Sequence, residues 1–221
     1  MAKVMIVGGH GKVALLATPL LVAAGHRVTS IIRHRDQAAE VADLGAEPLV
    51  ADVETIDTEE FAGLLQGEET VIWSAGAGGG NPARTRAVDR DAAIRSMDAA
   101  QAAGIGHYVM VSYFGSRPDH GVPADSSFFP YAEAKAAADA HLRAGGLAWT
   151  ILLPSRLTLE EPSGRIDPAP GAAGAVSRGN VAEVIATVVS RGPAGTARVD
   201  LAFNDGEVPI LRAVEALRPG R

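Results

Sequence analysis

The segment Val4-Met5-Ile6-Val7-Gly8-Gly9-His10-Gly11-Lys12-Val13-Ala14 decides the fold of this chain. Its apolar start predicts a strand buried on both faces, and its glycines predict a tight turn into a helix that runs to about Ala24. Gly8 would end the strand, Gly11 would leave the backbone bare for a ligand, and Ala14 would let the helix pack closely on the sheet. The free N–H groups at the start of such a helix are suited to bind phosphate.

Short β-branched runs recur along the chain and alternate with alanine-rich segments of helical spacing. The predicted strands are 4–7, 28–32, 48–51, 70–73, 108–111, 149–153 and 198–203. This alternation is typical of a parallel sheet that is covered by helices on both faces. We therefore expect an α/β fold with a doubly wound parallel sheet of Rossmann type, in a single domain over residues 1–221.

Two stretches rich in proline and glycine interrupt the alternation, at residues 114–130 and 154–179. Both follow the carboxyl end of a predicted strand, which is the edge where open α/β sheets bind ligands. Loops of this length in a compact domain are usually functional or disordered, so we expect both to close a substrate pocket. Phe114, Phe128 and Phe129 would form an apolar wall for a flat or hydrophobic substrate.

Composition limits the partners of this chain. Its 221 residues carry a net charge of -6 in segments of mixed sign, which disfavours nucleic acid and anionic membranes as partners. It has no cysteine, and its six histidines lack metal-ligand spacing, so we expect no metal. It has neither a signal-peptide core nor an apolar run of roughly 18 residues. We expect a cytoplasmic protein with a small-molecule substrate, and its oligomeric state is left open.

The second predicted strand begins at the distance that a dinucleotide-binding βαβ unit requires, and it ends at Arg33. Asp or Glu at this place would accept hydrogen bonds from the ribose hydroxyls of NAD, whereas Arg accommodates the 2′-phosphate of NADP. Arg33, with Arg35 close behind it, therefore favours NADP over NAD. The alternative is that both arginines are solvated charges at the start of a loop.

Two further strand ends carry candidate contacts to a dinucleotide. Asp52, after the third strand, is placed to accept from an adenine amino group, or else serves only as a helix cap or turn residue. The small residues after the fourth strand let the backbone pass close to the ribose and diphosphate. The cofactor-binding residues predicted in this half of the chain are Gly8, His10, Gly11, Lys12, Val13, Arg33, His34, Asp52, Val53, Ala75, Gly76 and Ala77.

Tyr131 and Lys135 are four residues apart near the start of a predicted helix, so they share one helix face. A lysine at this place can lower the pKa of the tyrosine and bind the nicotinamide ribose. The tyrosine could then protonate a carbonyl as a hydride arrives. The Y-x-x-x-K spacing also occurs by chance, and the alternative is a half-buried tyrosine beside a surface lysine.

Taken in order, these motifs resemble the short-chain dehydrogenase/reductase superfamily. The segments VMIVGGHGKVA, IIRHRDQ, LGAEPLVADVE and YAEAKAAADAHLRAGGLAWTILLPSRLT carry the resemblance. Within this superfamily the chain more closely resembles the atypical, NmrA-like NAD(P)-binding branch, which includes flavin- or biliverdin-reductase-like and epimerase-like proteins. It covers nearly all of the chain to about Ile210.

The resemblance implies that Tyr131 and Lys135 form the acid/base pair and that Ser112 lies near the nicotinamide. Phe114 stands where extended members of the family often carry the catalytic serine, which leaves Ser116 as a competing candidate. An arginine that the family commonly carries after the sixth strand is absent. The backbone contacts implied at the nicotinamide end are those of Pro154, Ser155 and Leu157.

Three functions follow from these expectations. The first is an NADP-dependent oxidoreductase that reduces a small carbonyl, quinone or flavin-like substrate. The second is a non-catalytic NADP-binding redox sensor or regulator of the NmrA-like type, favoured by the uncertain serine and the missing arginine. A sugar-nucleotide epimerase is disfavoured, because 221 residues leave little room for a larger substrate domain.

Overall fold

The computed structural model describes residues 1–220 as alternating strands and helices. The strands are β1 (Lys3–Val7), β2 (Arg27–Ile32), β3 (Glu47–Val50), β4 (Thr70–Trp73), β5 (His107–Val111), β6 (Trp149–Pro154), β7 (Arg156–Thr158), β8 (Arg165–Asp167), β9 (Ala175–Ser177), β10 (Val199–Asp205) and β11 (Val208–Pro209). The helices are α1 (Lys12–Ala23), α2 (Ala38–Asp43), α3 (Thr58–Leu64), α4 (Pro82–Thr85), α5 (Ala93–Ala102), α6 (Phe129–Ala144), α7 (Arg178–Arg191), α8 (Pro193–Thr196) and α9 (Ile210–Glu215). A 3₁₀ turn at Arg35–Gln37 precedes α2, and a π-helical turn at Arg86–Ala92 joins α4 to α5.

Within residues 1–220 the main sheet has nine strands in the order β11-β8-β10-β6-β5-β4-β1-β2-β3. The strands from β3 to β10 in this order pair in parallel, whereas β8 and β11 add to the edge in antiparallel fashion. The order 3-2-1-4-5-6 is that of a doubly wound Rossmann sheet. The predicted fold class is therefore confirmed, and each predicted strand is present with slightly shifted ends. The antiparallel edge was not predicted.

Strand β1 lies inside the sheet, between β2 and β4, and its side chains supply both cores. Because side chains alternate between the faces of a strand, Val4 and Ile6 pack in one buried cluster and Met5 and Val7 in the other. Helices α1, α7 and α9 contribute to the first cluster, and α3, α5 and α6 to the second. The burial of β1 on both faces explains its uninterrupted apolar sequence.

Helix α1 begins one residue after the last glycine of the turn and is continuous through Pro19. Pro19 has no N–H to donate within the helix. The Thr18 hydroxyl donates to the Ala14 carbonyl at 2.8 Å. The face formed by Ala14, Ala17 and Leu21 is buried, so α1 packs closely enough to fix the position of the preceding turn.

The two predicted loops differ in structure. The first has no strand or helix until α6 begins at Phe129. The second is not the continuous loop that was expected, because it contains β7, β8 and β9. Strands β7 and β9 pair in parallel with each other, and β8 pairs with β10 and β11. Short strand pairs thus satisfy backbone groups that the proline-rich sequence could not place in a helix.

Among residues 1–220, no helix has the length and apolar character to cross a membrane. The same residues hold no group of three or more His, Cys, Asp or Glu side chains placed to bind a metal ion. Three histidines each pair with a different carboxylate, at 2.7 to 2.8 Å. The pairs are His10–Glu40, His120–Glu133 and His141–Asp98.

His107 at the start of β5 is a buried histidine within the sheet. Its Nε2 lies 2.9 Å from Thr150 Oγ1, and the Thr150 hydroxyl itself donates to the Thr196 carbonyl. The Thr150 oxygen therefore accepts from Nε2–H, whereas Nδ1 is buried without a partner among the described residues. Burial lowers the pKa of His107 from 6.5 to about 4.

The depressed pKa of His107 predicts a loss of stability in acid. The unfolded chain takes up a proton below pH 6.5 while the folded protein resists protonation to about pH 4. The free energy of unfolding should therefore be nearly constant above about pH 7 and fall by about 2 kcal/mol between about pH 7 and pH 5. Urea denaturation should show a shallower decline in His107→Gln. The same substitution at half-exposed His141 is the control, and equal slopes in wild type and His107→Gln would contradict the prediction.

Candidate functional site

The turn between β1 and α1 is shaped so that only glycine fits at its start. Gly8 has a φ of 84°, and a Cβ atom there would lie 2.6 Å from the Cα atom of Ala75. A Cβ atom on Gly9 would clash with the side chain of Ser30. Two strand ends, those of β2 and β4, therefore close on the turn from either side.

The same turn leaves the start of α1 open to an anion. Gly11 is the N-cap, and within the described chain no side chain caps α1 and its first turn carries no acidic residue. Its unpaired N–H groups and partial positive charge are the features that bind phosphate oxygens. Lys12 adds a cation at the same place. The turn therefore fits the pyrophosphate of a dinucleotide.

A cavity of about 350 Å³ lies beside the turn, over the ends of β2 and β3. Arg33 and two carboxylates shape it: Arg33 Nε lies 3.2 Å from Asp52 Oδ2, and Arg33 Nη1 lies 3.3 Å from Glu54 Oε1. Arg84 Nε is 2.8 Å from the same Glu54 oxygen. The predicted cofactor residues that line this cavity are Gly8, His10, Gly11, Arg33, His34, Asp52, Val53, Ala75 and Gly76.

A second cavity of about 950 Å³ continues from the first along the carboxyl ends of the strands. The two cavities share Gly11 and the segment 74–76, so they form one groove. Of the remaining predicted residues, those on its wall are Lys12, Val13, Ala77, Ser112, Tyr131 and Leu157. Arg33 lines one half of this groove and Tyr131 the other.

The apolar wall of the second cavity differs from the expected one. Phe128 lines it together with Pro130 and Tyr131, whereas Phe114 and Phe129 do not. The Tyr131 ring lies 5.3 Å from the Phe128 ring, measured between centroids, and an aromatic cluster is completed by Tyr113. The apolar wall that the structure shows is therefore built by residues at the start of α6.

Tyr131 holds its proton firmly. Burial raises the pKa of Tyr131 above its ordinary value, and the charges of Asp89 and Asp139 raise it further. The sequence had suggested that Lys135 would lower this pKa. Lys135 is instead buried, and its Nζ donates to the Val111 carbonyl at 2.9 Å and to Met110 Sδ at 3.1 Å. Its ammonium group is held on β5.

Lys135, Pro154 and Ser155 are predicted site residues that do not line the groove. The Pro154 carbonyl accepts from the Phe114 N–H at 2.8 Å, and Ser155 Oγ accepts from the Gly174 N–H at 3.1 Å. Both residues therefore hold the two long segments against the end of β6. Of the three residues predicted after β6, only Leu157 reaches the groove.

Asp139 is a buried residue that the sequence analysis missed. The hydroxyls of Ser112 and Ser116 both donate to Asp139 Oδ2, at 2.5 Å each. Ser112 lines the groove and Ser116 does not, so the two serines share one acceptor but not one position. A signal did exist, because Asp139 is four residues after Lys135 and thus on the face that carries Tyr131.

Asp89 is the second missed residue. It lies in the π-helical turn, is 1 % exposed and lines the groove. Its Oδ2 accepts from the Ala77 N–H at 3.1 Å. The sequence around it reads as an ordinary alanine-rich helix, and neither spacing nor composition marks the π-helical turn that directs Asp89 to the strand ends.

The fold and the groove define a Rossmann-type NAD(P)-binding protein of an oxidoreductase class. The chain belongs to the NAD(P)H-binding family, whose model matches residues 8–191. This membership confirms the resemblance to the atypical short-chain dehydrogenase/reductase branch.

Three relatives show how far the similarity extends. UPF0659 protein C216.03 of Schizosaccharomyces pombe is 34% identical over 97% of this chain and 94% of its own length. A solved structure from Bacillus halodurans, provisionally described as an NAD-dependent epimerase/dehydratase, is 29% identical with a TM-score of 0.89 over 98% of this chain and 100% of its own. The oxidoreductase YlbE of Lactococcus lactis is 27% identical with a TM-score of 0.86 over 97% and 96% of the two chains.

The glycine turn yields a prediction with a matched control. Gly8→Ala should lower the free energy of unfolding by about 3 kcal/mol, because the left-handed backbone is strained and the new Cβ clashes with Ala75. Gly25 has the same φ of 84° but no atom within 4 Å of the equivalent Cβ, so Gly25→Ala should cost about 1 kcal/mol. Urea denaturation measures both values. Equal losses would show that the approach to Ala75 is not what requires glycine.

Proposed function

We propose that this protein is an NADP-dependent reductase of a flat, conjugated acceptor such as a quinone or a flavin-like ring. The observation that carries the proposal is the single groove that runs from Arg33 to the aromatic wall around Tyr131. One half fits a dinucleotide and the other is large enough for a ring system beside it. The class of the Lactococcus relative, an oxidoreductase, supports this reaction type.

The cofactor half would hold NADP through charge and shape. The N–H groups at the start of α1 and Lys12 would bind the pyrophosphate, and Arg33 would bind the 2′-phosphate. Asp52 and Glu54 keep the Arg33 side chain on the cavity wall while its remaining N–H groups stay available. Residues 75–77 would pass close to the ribose. When bound, the reduced nicotinamide supplies a hydride.

The substrate half favours hydride transfer to a ring over reduction of a simple carbonyl. A tyrosine whose pKa is raised is a weak acid for a developing alkoxide, and Lys135 is held away on β5. The rings of Tyr131 and Phe128 instead offer apolar faces for stacking. Tyr131 therefore serves mainly to position the acceptor, and the carbonyl chemistry suggested by the sequence is the alternative that a variant can test.

Arg33 should set the choice of cofactor. Arg33→Ala removes a charged donor to the 2′-phosphate, so the Kd for NADPH should rise about 10- to 100-fold while the Kd for NADH changes little. Fluorescence titration with both cofactors measures the two constants. Arg35→Ala, on the exposed 3₁₀ turn, is the matched control and should leave both unchanged. A parallel rise for NADPH and NADH would remove Arg33 as the 2′-phosphate ligand.

Tyr131 separates ring reduction from carbonyl reduction. In Tyr131→Phe the ring stays, so kcat with a quinone or flavin acceptor should remain within about threefold of wild type. In Tyr131→Ala the stacking surface is lost, and KM should rise about tenfold. Steady-state NADPH oxidation measures both parameters. A loss of about 100-fold in the Phe variant would instead make the phenol the acid, as in a carbonyl reductase.

A non-catalytic NADP sensor is the second candidate, and the buried contacts of Lys135 favour it. A family acid/base pair whose lysine is bound to Met110 and Val111 is poorly arranged for catalysis. The deciding experiment is an NADPH consumption assay on a panel of carbonyls, quinones and flavins, run beside an NADPH binding titration. Tight binding without consumption by any acceptor would select the sensor, whereas turnover of a ring acceptor would select the reductase.

A further inference from the structure

Two carboxyl groups and one ammonium group are buried together beneath the substrate half of the groove. Asp89 lies in the π-helical turn, and Lys135 and Asp139 lie on α6. All three residues are at most 1 % exposed. If all were charged, the cluster would hold one uncompensated negative charge in a region where burial of charge is costly.

Asp139 is the carboxyl whose charged form receives the more support: burial raises its pKa, and Lys135 and two serine hydroxyls oppose that effect. Two serine hydroxyls donate to its Oδ2, and hydrogen bonds of this kind favour the charged form. Burial lowers the pKa of Lys135, and the charges of Asp139 and Asp89 oppose that effect. Asp139 has the larger influence of the two. The charge of Lys135 therefore offsets that of Asp139 without a direct salt bridge, because its Nζ donates to Met110 and Val111, and the carboxyl of Asp89 is left over.

Asp89 is that remaining carboxyl. The Ala77 N–H donates to its Oδ2, and the nearby cation Arg84 is already bound to Glu54 and to the Ala77 carbonyl. Burial raises the pKa of Asp89, against the opposing effects of Lys135, the Ala77 hydrogen bond and Arg84. Its other oxygen lies against the backbone of the strand end, because Oδ1 would be 3.2 Å from a Cβ atom on Gly76.

We propose that Asp89 is a neutral carboxylic acid that donates a proton to the acceptor reduced in the groove. The inference rests on the proposed reductase function. It assigns Asp89 the role that the sequence had suggested for Tyr131. Gly76 matters to this role, because both residues line the groove and a Cβ atom at position 76 would press against Asp89 Oδ1.

The step balances without any further reagent. A hydride from the nicotinamide adds to a ring atom of the acceptor, and the conjugated oxygen or nitrogen gains the negative charge. The O–H bond of Asp89 breaks as its proton binds that oxygen or nitrogen, so the acceptor gains one hydride, which carries the two electrons, and one proton. The nicotinamide is oxidised. The Asp89 carboxylate then takes a proton back from water, which reaches it through the open groove.

The protonation state of Asp89 can be measured without turnover. The ¹³Cγ resonance of Asp89, assigned in the wild-type protein with and without NADPH, should titrate at a clearly higher pH than that of an ordinary aspartate, which titrates near pH 4. A titration in the ordinary range would overturn the assignment of Asp89 as proton donor. This result would leave the proposed reductase function standing.

The catalytic role is tested by Asp89→Asn, which keeps the shape of the side chain and an acceptor for the Ala77 N–H. With a quinone or flavin acceptor, kcat should fall about 100-fold and lose its decline at high pH, while the Kd for NADPH stays unchanged. Asp91→Asn, a half-exposed position in the same turn, is the matched control and should retain wild-type kcat. An unchanged kcat in Asp89→Asn would overturn the proposal. Absence of turnover by the wild type with every acceptor would overturn the reductase function as well.

Discussion

The close approach of Gly8 to Ala75 is the constraint on which the rest of the site depends. The two residues leave adjacent parallel strands, and the absence of a Cβ atom on Gly8 lets the two backbones come within contact distance. This contact fixes the direction in which the chain enters α1 and so aims the free N–H groups of the helix along the groove. The same contact lies where the two halves of the groove meet, because the segment 74–76 lines both cavities.

The second constraint is the imbalance of buried charge under the substrate half. A short-chain reductase is expected to use a tyrosine and a lysine as a pair, with the cation lowering the pKa of the phenol. Here Lys135 and Asp139 are both buried, and neither lines the groove. The consequence is opposite to the expected one: burial, together with the charge of Asp139, raises the pKa of Tyr131, which retains its proton. This arrangement supports the proposed preference for acceptors that delocalise charge over a simple carbonyl.

Much of the fold was predictable from sequence because it depends on local patterns. Apolar runs gave the strands, and the glycine turn gave the βα unit with its ligand-binding edge. The groove residues near the turn were also predictable, since the ends of parallel strands must meet at one edge. The position of Asp89 was not predictable, because a π-helical turn leaves no periodic signal in the sequence. The ion pairs of Arg33 were not predictable either, because they join side chains from separate strand ends. The short strands β7, β8 and β9 were missed for a related reason, as three-residue strands have too few residues to show alternation.

The carboxylates around Arg33 influence phosphate binding at this strand end more than the identity of Arg33 alone does. A free arginine there would attract any anion, including solvent phosphate. Asp52 and Glu54 neutralise much of that field, and Arg84 restores part of it from the other side of Glu54. A phosphate that binds must therefore compete with carboxylates for the guanidinium. Its binding then depends more on how it is positioned beside Arg33 than on the net charge of the site. A 2′-phosphate held in place by the pyrophosphate at α1 has that advantage, because binding at one end of the dinucleotide raises the effective concentration of the other.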